Sequence, residues 1–200
     1  KKIPYIYNPK PSEEDLYALF RFGFSLIRRD ASSTINMTYS NIRGKKYNGF
    51  KKGQQNGLSL LETNSCQNIF NILKKNLANK YSVNPTHTFE EMNSLKYNFP
   101  KNIKFFELYH YGEIVGGCVL YIQSLIVHIQ YLTCEDLIKK LRGVDFILVS
   151  LFEIVKQEYS WLDYGISTED GGFILNKPLI KSKEEYGFTT LCYDTYQLEF

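Results

Sequence analysis

Three things are scarce in this 200-residue chain: long apolar runs, paired cysteines and net charge. No apolar stretch reaches the roughly 18–20 residues that a bilayer-spanning helix needs, so no such span is expected. Cys66, Cys118, Cys134 and Cys192 are scattered, with no Cys-x-x-Cys spacing and no neighbouring histidine pair. Neither a zinc site nor a disulfide frame is therefore expected; reduced thiols point to a reducing compartment, taken as the cytoplasm, and no metal cofactor is expected. A formal charge of +3 is too small to argue for a polyanionic partner by itself. What is present is a globular composition, 44% hydrophobic and 22% charged, which excludes a disordered chain. Sixteen tyrosines and fourteen phenylalanines imply an aromatic core or a stacking surface without choosing between them.

Residues 159–200 carry the clearest organisation. Leu162, Tyr164 and Ile166 alternate with Trp161, Asp163, Gly165 and Ser167, which predicts a strand with one apolar face and one small or polar face open to a ligand. A helix is expected over about 173–186, stopped by Gly187 in the left-handed region, and strand-like runs over 188–199. An earlier segment copies this one. Phe22-Gly23-Phe24-Ser25 through Asp30 lines up with Tyr186-Gly187-Phe188-Thr189 through Asp194, each preceded by a short charged helix. If the copying is a true duplication, residues 1–55 are the tail of a first unit plus a basic linker, and 56–200 form a second.

The remaining elements follow in order. Ile3 to Tyr7 reads as a strand, and Ser12-Glu13-Glu14-Asp15 opens a helix whose buried side is Leu16, Leu19, Phe20 and residues 22–24. Residues 41–53 hold five cations and two aromatics, either a wet linker or a phosphate-binding segment. Helical stripes cover 66–81 and, from the Thr88-Phe89-Glu90-Glu91 capping box, 88–95. Three strands in a meander span 105–133, with a tight turn at Gly112-Glu113 and a bulge allowed by Gly116-Gly117. On the third, His128 and Gln130 interrupt an apolar pattern. Lys139, Lys140, Arg142 and Gly143 precede a helix over about 144–159, a phosphate seat if the helix N-terminus is free.

A strand meander, polar loop, helix, strand, helix ending in an aromatic-Gly-Phe and terminal strands resemble the GNAT superfamily of acyl-CoA-dependent N-acyltransferases over roughly 58–200, and Pro85-Thr86-His87-Thr88, the Phe99-Pro100 break, Gly112-Glu113-Ile114-Val115-Gly116-Gly117, His128-Ile129-Gln130-Tyr131, Asp163-Tyr164-Gly165-Ile166-Ser167-Thr168 and Tyr193-Asp194-Thr195-Tyr196 resemble a set of bacterial Fem-like members. Within the superfamily the chain resembles the Fem-like branch, which includes the aminoacyltransferases of peptidoglycan cross-bridges. The resemblance implies an α+β fold with a mostly antiparallel sheet flanked by helices, and a cleft between two splayed strands. It implies direct attack of an amine on an activated acyl group. Asn176 and Gly187 keep the superfamily's spacing, but the usual tyrosine four places before that glycine is Lys183, and the usual glycine-rich loop is reduced to Arg142-Gly143.

The site expected on this basis has His128, Asp163 and Tyr193 as catalytic groups, Lys139, Lys140, Arg142 and Gly143 on the donor, and His87, Gln130, Ser167, Thr168, Glu169 and Lys183 on the substrate. Three functions remain open. One is transfer from acyl-CoA, such as acetyl-CoA, to a primary amine of a small or nucleotide-linked envelope precursor. Another is Fem-type transfer from aminoacyl-tRNA in cell-wall synthesis; the last is a non-catalytic binding module.

Overall fold

The computed structural model describes residues 1–199, so Phe200, the end of the organising stretch, lies outside the described residues. In chain order the elements are α1 (Glu14–Arg21), β1 (Ser25–Asn36), α2 (Gly44–Gln55), β2 (Leu58–Thr63), α3 (Gln67–Tyr81), α4 (Phe89–Asn98), β3 (Ile103–His110), β4 (Glu113–Gln123), β5 (Ile126–Cys134), α5 (Asp136–Lys140), α6 (Gly143–Val155), β6 (Trp161–Ile166), β7 (Thr168–Glu169), β8 (Ile174–Leu175), α7 (Lys177–Glu184) and β9 (Thr189–Gln197). They fall into two compact units. Unit 1 takes Lys1–Asn41, Gln123–Val127 and the chain from Glu158 onward; unit 2 takes Ile42–Ile122 and His128–Gln157.

Unit 1 is built around β1, which pairs antiparallel with β6 on one side and β9 on the other. Its second half, from Asp30, is buried because both edges are occupied, whereas Ser25 to Arg29 are exposed. The expected strand at Ile3 to Tyr7 is instead a 3₁₀ turn, Tyr5–Tyr7, closed by the Tyr7 N–H on the Pro4 carbonyl at 3.0 Å. Helix α1 starts where its hydroxyl-acid opening predicts, yet buries no residue; Phe20 is 79% and Phe22 71% exposed. The helical period identifies which residues share a face, not whether another element covers that face.

The expected helix over 173–186 shortens to α7. Asp170, Gly171 and Gly172 all have positive φ (47°, 61° and 97°), which turns the chain into the β7–β8 hairpin first. Only then does Asn176 cap the helix, accepting from the Leu179 N–H at 3.0 Å, with Pro178 in the first turn where its missing N–H costs nothing. Gly187 (φ 91°) ends the helical segment as expected, and one strand, β9, follows where a pair of strand-like runs was expected.

Unit 2 orders its strands β2-β3-β4-β5, with β2–β3 and β3–β4 antiparallel. The β3–β4 turn is Tyr111-Gly112, both at positive φ (47° and 88°), the geometry that matches strand twist. Leu108 pairs with Gly116 while Tyr109 pairs with Ile114, so Val115 is the bulged residue beside the glycine pair. Cys66, Ile69 and Phe70 near or on α3, Met92 on α4, and Phe105 and Val119 on the strands form one buried cluster. The capping box holds: Thr88 Oγ1 accepts from the Glu91 N–H at 3.2 Å and Glu91 accepts from the Thr88 N–H at 2.7 Å. The basic run is helix α2, packed on α6 through Gly49 and Gly53. A Cβ on Gly53 would come within 3.1 Å of Phe146.

Candidate functional site

In unit 1 the middle of the polar face of β6 is not open to a ligand; it is filled by Asp163. That carboxylate is fully buried and accepts from the Tyr193 hydroxyl at 2.5 Å, the Ser32 hydroxyl at 2.7 Å, the Tyr7 hydroxyl at 2.8 Å and the Gly165 N–H at 2.9 Å. Gly165 sits at φ 76°. Four donors on one carboxylate suit its ionised form and occupy its lone pairs. Burial first, and then the Asp163 charge, push both tyrosine hydroxyls well above the ordinary phenol range. Asp163 and Tyr193 are thus brought together, as a tie between strands. Tyr7 and Ser32 belong to the same tie, which no local pattern reveals, because their partner Asp163 lies more than 130 residues away.

Lys183 on α7 is 3% exposed and donates to the carbonyls of Gly165 at 2.7 Å and Ile166 at 3.0 Å. Its ammonium lies 5.0 Å from the Tyr164 ring centre. Desolvation lowers this amine from 10.5 to about 8, against a small upward pull from Asp163. One residue beyond those carbonyls, the Ser167 hydroxyl is buried and has no hydrogen-bond partner among the described residues. Thr168 donates to Asp30 at 2.8 Å, and Glu169 accepts from Asn176 at 2.7 Å. Ser167, Thr168, Glu169 and Lys183 therefore gather at one end of β6.

In unit 2, His87 meets Tyr131: Nδ1 lies 2.7 Å from the hydroxyl, which also accepts from the His87 N–H at 3.2 Å. Tyr121 stands 6.3 Å from the His87 ring and 6.4 Å from the His128 ring, and burial pushes its hydroxyl up to about 12. His128 and Gln130 are half-buried on β5. The expected donor residues are divided. Arg142 pairs with Asp145 at 2.6 Å, and Lys46 with the same carboxylate at 3.7 Å. Gly143 is packed on Ile138, Lys140 is exposed, and Lys139 pairs with Asp136 at 2.6 Å. Beside Lys139 is a cavity of about 200 Å³ lined by Leu73, Leu77, Lys80, Leu132 and Val144 among others. Among the described residues no cluster of ligands could hold a metal ion, and no helix is long and apolar enough to cross a membrane.

No family model matches the sequence, and no curated protein does. Solved structures do. FemX superposes with a TM-score of 0.72 at 8% identity, over 90% of this chain and 68% of that one. A C-terminal domain assigned to a lysylphosphatidylglycerol synthetase of Agrobacterium fabrum gives 0.69 at 14% identity, over 92% of this chain; the chain spans 65% of that domain, just under two thirds. A GCN5-related N-acetyltransferase from Sphaerobacter thermophilus gives 0.51 at 13% identity, over 93% and 56%. At such identities the likeness concerns backbone architecture. The chain therefore has the α+β fold of the GNAT superfamily, in the Fem-like form that FemX presents.

Proposed function

We propose that the chain is an N-acyltransferase that moves an acyl group from acyl-CoA to a primary amine of a small or envelope-precursor substrate. The observation that carries this reading is the presence, at the end of β6, of a buried lysine on the Gly165 and Ile166 carbonyls and a buried serine hydroxyl, Ser167, with no hydrogen-bond partner among the described residues. As an ammonium, Lys183 has three N–H groups and spends two on backbone carbonyls; the third, with the Ser167 O–H, can donate to the oxyanion that forms when an amine adds to the acyl carbon. The C–N bond forms, the C–S bond of the thioester breaks, and the one proton that the neutral amine loses passes to the departing thiolate. In this reading Thr168 and Glu169 orient the amine, and Asp163 with Tyr193 positions the strands.

One observation favours a second donor. Residues 31–61 contain no Asp or Glu, and α2 with its flank exposes Arg43, Lys45, Lys51 and Lys52. A cationic helix face of this kind suits RNA phosphates, as an aminoacyl-tRNA donor would supply. Titration of the full chain with acetyl-CoA by calorimetry, followed by mass-spectrometric detection of transfer to a panel of primary amines, tests the first donor. The expected result is saturable binding and acyl transfer, with transfer reduced about 100-fold in Lys183→Ala. No binding at millimolar acetyl-CoA rejects that donor, and salt-sensitive binding of aminoacyl-tRNA would then support the second.

A further inference from the structure

Strand β9 has a strand partner on one side only. It ends the strand order beside β1 and pairs with that strand from Thr189 to Gln197. In an antiparallel ladder alternate residues turn both main-chain groups toward the same neighbour, so two observations fix which residues of β9 face outward. The Ala31 carbonyl, opposite Cys192, accepts from the Ser167 N–H at the end of β6 at 2.7 Å, and the Asp194 carbonyl accepts from the Lys2 N–H at 2.8 Å. Thr190, Cys192 and Asp194 therefore direct their N–H and C=O away from β1. Lys2 occupies the Asp194 carbonyl; among the described residues no backbone group meets those of Thr190 and Cys192, and both residues are exposed.

An open edge is a template for another strand, and lysine, proline or a bulge usually guards it. Residues 188–193 carry no charge and no proline, and the register shift of the β1–β9 ladder lies elsewhere, between Leu26 and Arg28. The open stretch is also self-complementary. Antiparallel pairing with β9 of a second copy, with the two-fold axis at Leu191, sets Thr190 against the copy's Cys192 and Cys192 against the copy's Thr190. Each pair exchanges its N–H···O bonds in both directions, so every open group of both strands finds a partner. An axis at Cys192 would instead set Thr190 against Asp194, whose carbonyl is taken. At the Leu191 axis two half-buried leucines meet in the closer kind of pair, with Cα atoms about 4.5 Å apart. Neither strand brings a charge that would repel its copy there.

We propose that the outer edge of β9 is a self-association surface, joining two copies of the chain by antiparallel β9 pairing centred on Leu191. The proposal does not depend on the transferase reading. So short an interface makes a weak dimer, and sedimentation velocity of the full chain from micromolar to millimolar concentration should show a reversible monomer–dimer equilibrium. Thr190→Pro removes an outward N–H and none that serves β1; it should weaken the dimer at least tenfold with the circular dichroism spectrum unchanged. Thr190→Lys keeps that N–H but guards the edge with charge, and should weaken the dimer as well. Mild oxidation reads the axis. Leu191→Cys/Cys192→Ser should form an interchain disulfide, because opposed Cα atoms about 4.5 Å apart lie within its reach. Wild-type Cys192, diagonal to its copy at roughly 7–8 Å, should not, and neither should the control Thr195→Cys/Cys192→Ser. A monomer at every concentration, a dimer indifferent to both Thr190 variants, or cross-linking of the wild type or the Thr195 variant as complete as that of the Leu191 variant overturns the proposal.

Discussion

Two stretches of unit 1 share a pattern and meet different fates. Helix α1, Gly23 and β1 form one; α7, Gly187 and β9 form the other. Both glycines take the left-handed conformation, at φ 73° and 91°, and both strands then run extended. The strands pair with each other, Ser25 to Thr34 against Gln197 to Thr189, so the two stretches face one another across an antiparallel ladder. Yet β1 has β6 on its other edge and is buried from Asp30, with Ser32 reaching Asp163. Alignment places Lys183 opposite Leu19, and the difference is chemical: Leu19 is half-buried at the surface, whereas Lys183 is buried on strand carbonyls. Similar local sequence fixed the turn in both, and neighbours decided what each could do.

The comparison breaks most completely at Asp163, which ties β1 through Ser32 and β9 through Tyr193 to β6. Asp163→Ala leaves two buried phenols and a serine without their acceptor and is expected to destabilise the fold by about 3–5 kcal/mol, the scale seen when a buried charged network loses its centre. Denaturant unfolding measures this, and a loss under 1 kcal/mol would show that the tie is slack. A smaller effect sharpens the likeness. Gly187→Ala and Gly23→Ala should each cost about 1–2 kcal/mol and cost alike, because at both sites the added Cβ meets no close contact and only the positive φ is strained. Unequal losses would mean that one glycine is needed for more than its backbone.

The smallest change in stability is expected at Lys183→Leu, which installs the residue found at the aligned position. Loss of two hydrogen bonds to carbonyls opposes relief from burying a charge, leaving a net change of about 1 kcal/mol at pH 7. The pH dependence is the sharper readout. The folded amine, at about 8, sits below its unfolded value of 10.5, so the unfolded chain binds more protons between those limits. Lys183 therefore contributes an increase in stability as pH rises from about 8 to about 10.5, a cost that is fully present below pH 8. The leucine variant should lose that rise, and an unchanged profile would place the titration elsewhere.

The sequence by itself determined what depends on neighbours within a few residues. The Thr88 box and the β3–β4 hairpin with its bulge belong here, as do Gly187 and the stripe of α3, because caps, turns and periodicity act over a single turn or pair. The resemblance carried by the motifs from His87 to Tyr196 reached the superfamily fold as well. Elsewhere local signals misled: three positive-φ residues at 170–172 shortened the expected helix, and the charge run at 41–53 concealed a helix whose glycines face α6. Only tertiary structure decided the sites. Asp163 reads as an open-faced acid until Tyr7, Ser32 and Tyr193 arrive from distant segments, and the ion pair of Asp145 with Lys46 from α2 has no signal in local spacing. Spacing specifies which face a side chain takes; burial and long-range partners decide whether that side chain remains available for chemistry.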